Sequence, residues 1–294
     1  LGVHCQAVIS CPRFPGGYPP GLSFFRGFAM DATITSKNNE RIRKVKRLLA
    51  RKHRDHQGMF LLEGVRVVEE ALETSLVDEL YFAPRLLEAP RGIELLVRAK
   101  EKDIPSTRCS EEVLGDITDT VHSQAVVAVV RKPTWPIFCQ GVMLVADAIA
   151  DPGNMGTLMR TAVGAGVQGL LVVEGSVDLY NPKVLRASMG AMFHLPHWLL
   201  SREQVLALVR ESGSPLVIAD LFNASNLWEV DYPANLALVI GNEAWGIHED
   251  FRREADLRVQ IPLVGRVESL NASVAAGVLL YEILRQHRQT SEKL

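Results

Sequence analysis

Polar side chains follow directly after three apolar runs of the kind that form buried strands. The run ALVI is followed by GNEAWG, so Glu243 lies three residues beyond the last apolar residue of that strand. A glycine at the end of a strand lets the backbone turn or lets another group approach closely. The sequence therefore predicts that Gly241 ends a strand and that the carboxylate of Glu243 faces a ligand at the strand mouth.

The second stretch is ADPGNMGTLMRTA, which follows the apolar run VMLVADA and opens a helix. Pro152 and Gly153 form the turn, and Asn154 can cap the helix by accepting hydrogen bonds from backbone N–H groups two or three residues later. Arg160 lies among apolar residues in the second turn of this helix. An arginine that contacts a ligand at the strand ends and a surface arginine that extends into water both fit this position.

The third stretch is VQIPLVGRVESLNASVAAGVLLYE, where a strand ends at Pro262 and a glycine-containing loop leads into a long apolar helix. Ser269, Asn271 and Ser273 crowd the start of that helix. One of these polar residues is needed as the cap. Three of them exceed that need, which indicates a second role for the others.

Apolar strands alternate with helical segments through the rest of the sequence. Runs such as LLVVEG and LVIADL predict strands that are buried on both faces. This pattern is typical of an α/β sheet with helices on both sides, which we expect over residues 140–294. Upstream, FLLEGVRVVEEALE, VDELYFAP and SQAVVAVVRKP predict a smaller α/β domain over residues 31–132. The prolines of RKPTWP predict a linker over residues 133–139, because proline interrupts both helix and sheet.

Residues 1–30 are rich in proline and glycine and have no periodic pattern. We expect a disordered extension, or a spurious segment if Met30 is the true start. The sequence contains neither a run of about 18 apolar residues nor the features of a signal peptide, so neither a membrane span nor secretion is expected.

The cysteines have neither CxxC spacing nor a neighbouring histidine pair. This pattern predicts reduced thiols in a cytoplasmic protein and no zinc or other metal site. The four cysteines are Cys5, Cys11, Cys109 and Cys139.

The charge of the chain is balanced overall but not locally. With 32 Lys and Arg against 34 Asp and Glu, the net charge of -2 offers nucleic acid no general attraction. Between Lys37 and Arg54, however, Glu40 is the one acidic residue, and Ile42 and Val45 recur at helical spacing. A solvated helix surface fits this segment, but its sign asymmetry favours contact with phosphate. The predicted contacts are Lys37, Arg41, Lys44, Lys46, Arg47 and Arg51.

The glycines of GAGVQG match the GxGxxG pattern of dinucleotide-binding folds. That pattern requires a strand before it and a helix after it. Here a helix precedes the glycines and a strand follows them. A helix C-cap and turn is therefore the favoured interpretation, and a nucleotide-dependent oxidoreductase is the disfavoured one.

Taken together, the three polar stretches resemble the signature motifs of SpoU/TrmH-type RNA 2′-O-ribose methyltransferases. The motifs are NxGxxxR, GNExxG and IPxxGxxxSLNxSxA, and the resemblance covers about residues 140 to 287. The first domain is more loosely similar to the ribosomal-protein-L30-like RNA-binding module of that family.

The resemblance implies a SPOUT fold, an α/β sheet whose last part threads through a loop to form a deep trefoil knot, a topology that is rare among proteins. It also implies that S-adenosyl-L-methionine lies bent in the knot and is held mainly by backbone groups. On this basis Gly241 lets backbone and cofactor meet. The implied cofactor-binding residues are Gly241, Asn242, Gly246, Ile261, Pro262, Leu270 and Ser273.

The implied reaction transfers a methyl group to a ribose 2′-hydroxyl, which requires positioning and proton removal but no metal. The resemblance gives Arg160 the role of activating the hydroxyl. A free arginine stays protonated, so binding the adjacent phosphate and orienting the hydroxyl suit its planar fork better. Glu243 either joins the polar wall around the ribose or holds Arg160 by ion pairing. The implied catalytic residues are Asn154, Arg160, Glu243, Ser269 and Asn271.

The expected substrate is structured RNA, with ribosomal RNA ahead of transfer RNA because the DLYNPKVLRASMG segment resembles the ribosomal branch. A non-catalytic RNA-binding protein on the same fold is the alternative. The resemblance also implies a homodimer. Val274, Val278, Leu279 and Leu284 recur at helical spacing in the last helix, which fits a subunit contact and core packing equally well.

Overall fold

The computed structural model describes residues 33–118, 124–221 and 223–291. Residues 1–30, for which an extension was predicted, lie outside this part. The helices are α1 (Glu40–Arg47), α2 (Arg51–Gln57), α3 (Val65–Leu72), α4 (Pro90–Glu101), α5 (Glu111–Asp116), α6 (Pro152–Gly164), α7 (Pro182–Ser188), α8 (Arg202–Ser212), α9 (Glu249–Glu254) and α10 (Ala272–Ser291). The strands are β1 (Met59–Glu63), β2 (Val77–Phe82), β3 (Ser106–Arg108), β4 (Val126–Arg131), β5 (Val142–Ala146), β6 (Gly169–Val173), β7 (His197–Leu200), β8 (Leu216–Ala219), β9 (Ser225–Asn226), β10 (Leu236–Ile240) and β11 (Leu257–Gln260).

The first sheet has the strand order β1-β4-β2-β3. β4 pairs antiparallel with both neighbours, and β2 pairs parallel with β3. Helix α1 packs Ile42 and Val45 into this core, as their spacing predicted. Asn39 caps α1 by accepting from the backbone N–H of Arg41, and basic residues fill its last turn, where they complement the helix dipole.

The second sheet is parallel and has the strand order β7-β6-β5-β10-β8-β11-β9. All five residues of β6 and of β10 are buried, which explains why these strands are continuous apolar runs. This confirms the predicted α/β fold class with a parallel sheet. Because the strands are parallel, the residues that follow β5, β8, β10 and β11 all emerge at the same edge.

Helix α6 begins differently from the sequence prediction. Asp151, not Asn154, is its N-cap, since the Asp151 Oδ1 accepts from the backbone N–H of Asn154 at 2.7 Å. Asn154 is therefore inside the first turn, and Arg160 is in the third turn. Further along, a Cβ on Gly156 would lie 2.4 Å from the Cβ of Ala187, so the glycine is what allows α6 and α7 to pack closely.

The hydrophobic core is continuous between the two sheets. An ion pair with little exposure to solvent also joins the two domains. Arg54 is only 5% exposed, although it belongs to the basic segment predicted to face phosphate. One of its terminal nitrogens donates to the Asp178 Oδ2 at 2.5 Å, and the other donates to the backbone oxygens of Leu48 and Leu49. The prediction that this stretch presents its cations to solvent is wrong for Arg54, because the residue lies where the first domain meets the loop before α7.

Aromatic contacts surround this ion pair. The rings of Phe60 and Tyr180 are 4.9 Å apart between centroids, and the Lys132 Nζ lies 4.4 Å from the Tyr180 ring centre. The Tyr180 hydroxyl is 3.1 Å from the Nε2 of His197, whose pKa is lowered by burial. These contacts fix the first domain against the loop that leads into α7.

The segment between β4 and β5 contains no helix or strand. It is nevertheless packed, since the backbone oxygen of Trp135 accepts from the Trp198 Nε1 at 3.1 Å and Phe138 contacts the Trp198 ring edge-on. The connection therefore lies along the parallel sheet and is held there by Trp198.

The GAGVQG stretch forms the predicted turn. Helix α6 ends at Gly164, Gly166 has a φ of +72°, and β6 starts at Gly169. Glycine readily adopts this left-handed backbone conformation just after the end of a helix.

Cys109 and Cys139 are buried free thiols. Burial raises the pKa of the Cys109 thiol to about 11, so this group stays protonated at neutral pH. Cys5 and Cys11 lie outside the described residues. Among those described, no helix is long and apolar enough to cross a membrane, and no cluster of three or more His, Cys, Asp or Glu could hold a metal ion.

We expect Arg54→Ala to lower the free energy of unfolding by about 3–5 kcal/mol, because it leaves the Asp178 carboxylate, whose side chain is only 14% exposed, without its cation. Urea denaturation followed by circular dichroism measures the loss. The matched control is Arg51→Ala, which removes an exposed ion pair with Asp55 and is expected to cost less than about 1 kcal/mol. Equal losses in both variants would contradict the importance of the buried pair.

Candidate functional site

A cavity of about 410 Å³ lies at the carboxyl ends of β8, β10 and β11. Two segments close it: the hairpin loop (residues 241–247) and the facing loop (residues 261–271). Parallel α/β sheets bind ligands at this edge because the loops that follow the strands converge there. The protein is therefore of the class of α/β proteins that have a cavity at the carboxyl edge of a parallel sheet, with a second α/β domain attached.

The hairpin loop is held by its own backbone. Asn242 and Gly246 exchange two backbone hydrogen bonds of 3.0 and 2.9 Å, and the Asn242 Oδ1 accepts from the backbone N–H groups of Ala244 and Trp245. The Asn242 Nδ2 donates to the backbone oxygen of Ala148 at 2.7 Å, which ties the loop to the connection after β5. Asn242 thus uses its side chain to shape the cavity wall.

Gly241 is explained by this hairpin. A Cβ at Gly241 would lie 2.4 Å from the carbonyl carbon of Gly246 and 2.6 Å from the backbone nitrogen of Ile247. The returning side of the hairpin therefore requires a glycine at this position. That Gly241 also lets backbone and cofactor meet stays a prediction. A periodic or motif-based argument does not show which backbone comes close.

Side chains from all three polar stretches meet in one hydrogen-bonded series, which we call the polar chain (Glu243, Asn154 and Asn271). The Asn154 Nδ2 donates to the Glu243 Oε1 at 2.5 Å. The Asn271 Nδ2 donates to the Asn154 Oδ1 at 2.8 Å. The structure therefore brings together three of the five residues that were predicted to be catalytic.

Local helix capping makes the polar chain possible. Asp151 caps α6 and so leaves both ends of the Asn154 amide free for Glu243 and Asn271. Asn271 precedes α10, and its Oδ1 accepts from the backbone N–H and the hydroxyl of Ser273 at 3.0 and 2.7 Å. Asn271 is therefore the cap that the sequence required, and its Nδ2 still reaches Asn154.

Arg160 and Ser269 are not part of the polar chain. The side chain of Arg160 is exposed and makes no hydrogen bond or ion pair with any other residue that the structure describes. It lies six residues after Asn154, a rotation of about 600° around the helix, so the two side chains leave α6 about 120° apart. Glu243 is bound to Asn154 and does not pair with Arg160. Ser269 is exposed and lines the cavity.

Most of the predicted cofactor-binding residues line the cavity, namely Gly241, Asn242, Gly246, Ile261 and Leu270. Pro262 and Ser273 are outside the lining. The hydroxyl of Ser273 instead donates a hydrogen bond to Asn271, which caps α10.

Sequence reasoning missed an ion pair on the cavity wall. Asp220 is buried at the end of β8, and its Oδ2 lies 3.3 Å from the Nε of Arg252. Both residues line the cavity, as do Trp245 and Glu268. Asp220 directly follows the apolar run LVIA, so the rule that singled out Glu243 at the end of a strand could also have found it.

Five of the six residues predicted to contact phosphate are already ion-paired with carboxylates of the first domain. The lengths of these ion pairs run from 2.7 to 3.5 Å between N and O. The pairs are Lys37–Glu112, Arg41–Glu79, Lys44–Glu40, Lys46–Asp116 and Arg51–Asp55. Arg47 keeps no such partner among the described residues, and the same holds for exposed Arg43 and Lys52.

Comparison with known proteins identifies the family. Residues 141–281 match the SpoU rRNA Methylase family and residues 39–128 match an MRM3-like substrate binding domain. The chain is 30% identical to the 23S rRNA (guanosine(2553)-2'-O)-methyltransferase RlmP of Bacillus subtilis over 250 residues, which are 85% of this chain and 98% of RlmP.

Two further matches agree. A 23S rRNA (uridine(2479)-2'-O)-methyltransferase of Streptomyces viridochromogenes is 33% identical, over 86% of this chain and 92% of that protein. An AdoMet-bound rRNA methyltransferase structure from Sinorhizobium meliloti is 28% identical, with a TM-score of 0.76 over 87% of this chain and 97% of that structure. The chain belongs to the SpoU rRNA methylase family.

We expect Gly241→Ala to destabilise the hairpin loop by about 1–3 kcal/mol, because the added methyl group overlaps the backbone of Gly246 and Ile247. Hydrogen exchange measures the effect as faster exchange at the amides of Asn242 and Gly246. Gly265→Ala in the facing loop is the matched control, since a Cβ there would meet no atom within 4 Å. Wild-type protection in Gly241→Ala would contradict the close approach.

Proposed function

We propose that the protein transfers a methyl group from S-adenosyl-L-methionine to a ribose 2′-hydroxyl of ribosomal RNA. The observation that carries this proposal is the polar chain, which joins Asn154 and Asn271 to Glu243 on the wall of the cavity and so connects three separate motifs. The relatives named for 2′-O-methylation of 23S rRNA support the reaction and favour ribosomal over transfer RNA.

The residues of the cavity fit S-adenosyl-L-methionine. A volume of about 410 Å³ is in the range of small-molecule sites, and the wall combines apolar groups such as Ile240 and Leu270 with the carboxylates of Glu243 and Asp220. Carboxylates suit the positive sulfonium and ammonium groups of this molecule. When bound, it supplies a methyl group that is already activated on sulfur.

The polar chain would orient the ribose. Because Asn154 donates to one oxygen of Glu243, the carboxylate is fixed in direction and its second oxygen can accept a hydrogen bond from a hydroxyl. Asn271 in turn fixes the amide of Asn154. A hydroxyl held in this way is aligned without any movement of the protein, which is the main requirement for a displacement at a methyl carbon.

Arg160 would bind the phosphate next to the reacting ribose and orient the 2′-hydroxyl. A free guanidinium remains protonated at ordinary pH, and its planar fork matches two phosphate oxygens. Arg160 is exposed on α6 and pairs with no carboxylate among the described residues, which leaves the fork available.

We extend the proposal to a homodimer. Val274, Val278 and Tyr281 form an exposed stripe along α10 at helical spacing, whereas Leu279 is buried in the core. A Cβ on Gly164 would lie 3.2 Å from the Tyr281 hydroxyl, and Arg160 is one turn before Gly164 on the same face of α6. Pairing of two copies through this stripe would place Arg160 of each copy near the subunit interface.

The trefoil knot and the cytoplasmic location belong to the same proposal. Helix α10 leaves the facing loop after β11 and returns to pack on α6 and against β10, a path that is compatible with threading through the loop. The bacterial rRNA methyltransferases among the relatives favour the cytoplasm.

The test is transfer of labelled methyl from S-adenosyl-L-methionine into size fractions of unmodified RNA and into intact ribosomal subunits, followed by digestion to nucleosides. A 2′-O-methylnucleoside in a ribosomal fraction is the expected result. No label in any fraction would favour the alternative, a non-catalytic RNA-binding protein.

Arg160→Ala should reduce methyl transfer by at least about 100-fold while the fold and S-adenosyl-L-methionine affinity stay unchanged, because the lost group positions RNA and not the cofactor. Single-turnover kinetics and calorimetry measure the two effects. Arg210→Ala, which changes an exposed arginine on α8, is the matched control. Near-wild-type turnover in Arg160→Ala would reject the assignment.

The effect on RNA binding of removing a positive charge from the first domain should depend on whether that charge is ion-paired. The triple variant Arg43→Ala, Arg47→Ala and Lys52→Ala is expected to weaken binding of total ribosomal RNA and to lower the salt slope of log K by about 2 to 3, because each unpaired cation can release counterions. The control removes the same charge from paired residues with Arg41→Ala, Lys44→Ala and Lys46→Ala. Filter binding at several salt concentrations measures both, and equal slopes would show that pairing does not matter.

A further inference from the structure

Trp245 exposes 87% of its surface at the rim of the cavity. The facing loop also carries two exposed apolar side chains, Val264 and Val267. An indole is a large apolar surface that proteins ordinarily bury or use in binding. The exposed indole of Trp245 and the carboxylate of Glu243, the first member of the polar chain, thus line the same cavity.

The backbone below Trp245 is fixed. Its N–H donates to the Asn242 Oδ1 at 3.2 Å, and Asn242 and Gly246 on either side are paired through two backbone hydrogen bonds. Trp245 is also two residues from Glu243, whose carboxylate is held by Asn154. The hairpin loop therefore holds the backbone of Trp245 at a set position relative to the polar chain, which lowers the entropy lost when a ligand binds against its indole.

We infer that Trp245 stacks on the base of the nucleotide that is methylated, an inference that rests on the proposed function. A ribose whose 2′-hydroxyl lies at the polar chain carries its base on the neighbouring carbon of the same sugar. Asn154 and Asn271 already use their amides on each other and on Glu243, so the base lies beside the polar chain. The apolar rim is the adjacent surface, and a base has a π-face that an indole can cover.

This contact defines the class of substrate. Stacking on an indole requires a base whose face is free, so the accepting nucleotide is unpaired or is extruded from its helix. Stacking reads the face of the base and not its hydrogen-bonding edge. Trp245 therefore selects for an accessible base of any identity, and the choice of sequence must come from other contacts.

The experiment compares Trp245→Ala and Trp245→Phe with wild type in methyl transfer to the ribosomal RNA fraction. Trp245→Ala should raise the KM for RNA roughly 5- to 100-fold. Its Kd for S-adenosyl-L-methionine should stay within about threefold of wild type, and Trp245→Phe should recover most of the loss, because a phenyl ring also stacks. Trp228→Ala is the matched control, since Trp228 is 63% exposed but does not line the cavity.

A second measurement isolates the base. In an RNA fragment with an abasic nucleotide at the methylated position, wild type and Trp245→Ala should have the same KM, because no base remains to stack. An unchanged KM on normal RNA, a weaker cofactor Kd, or altered sedimentation without a KM effect would each overturn the inference while leaving methyl transfer established.

If wild-type protein methylates no RNA, the proposed function fails separately. The stacking surface is then tested with uridine 5′-monophosphate as the probe. Quenching of tryptophan fluorescence that is lost in Trp245→Phe supports the contact, and the same quenching in both proteins overturns it.

Discussion

The amide of Asn154 is the group on which the site depends. It donates to Glu243 and accepts from Asn271, so one side chain joins the loops that follow β5, β10 and β11. An amide is suited to this place because it carries a donor and an acceptor side by side. A carboxylate at the same position would repel Glu243, and a hydroxyl would be too short to reach both neighbours.

The parallel sheet and a few close backbone approaches bring that amide into place. Parallel pairing puts the ends of β5 and β10 side by side, with Ala146 opposite Ile240. Gly156 lets α6 lie against α7, and Gly241 lets the hairpin close under Glu243. Because Asp151 is the N-cap of α6, the side chain of Asn154 is not needed to cap the helix. Each of these local features is modest, and together they determine the position of one side chain.

The sequence predicted the features that depend on local pattern. Apolar runs identified the parallel sheet, and polar residues after those runs identified Glu243, Asn154 and Asn271. Features that depend on distant partners were not predictable in this way. In the sequence, Arg54 cannot be distinguished from its basic neighbours. Only in the fold does Asp178, 124 residues later, accept a hydrogen bond from its guanidinium group. Arg41 and Lys46 likewise look free in sequence, because Glu79 and Asp116 reach them only in the fold.

The contact between Arg54 and Asp178 joins the first domain to the domain that contains the cavity. Phe60 and Lys132 of the first domain also pack on Tyr180, and these contacts set the distance between the first domain and the cavity. Under the proposed function, the protein would accept an RNA only if a phosphate surface and an accessible nucleotide lay at that distance in the folded RNA. An extra base pair between those two points would then displace the nucleotide from the cavity, even though every contact residue and the local sequence remained the same.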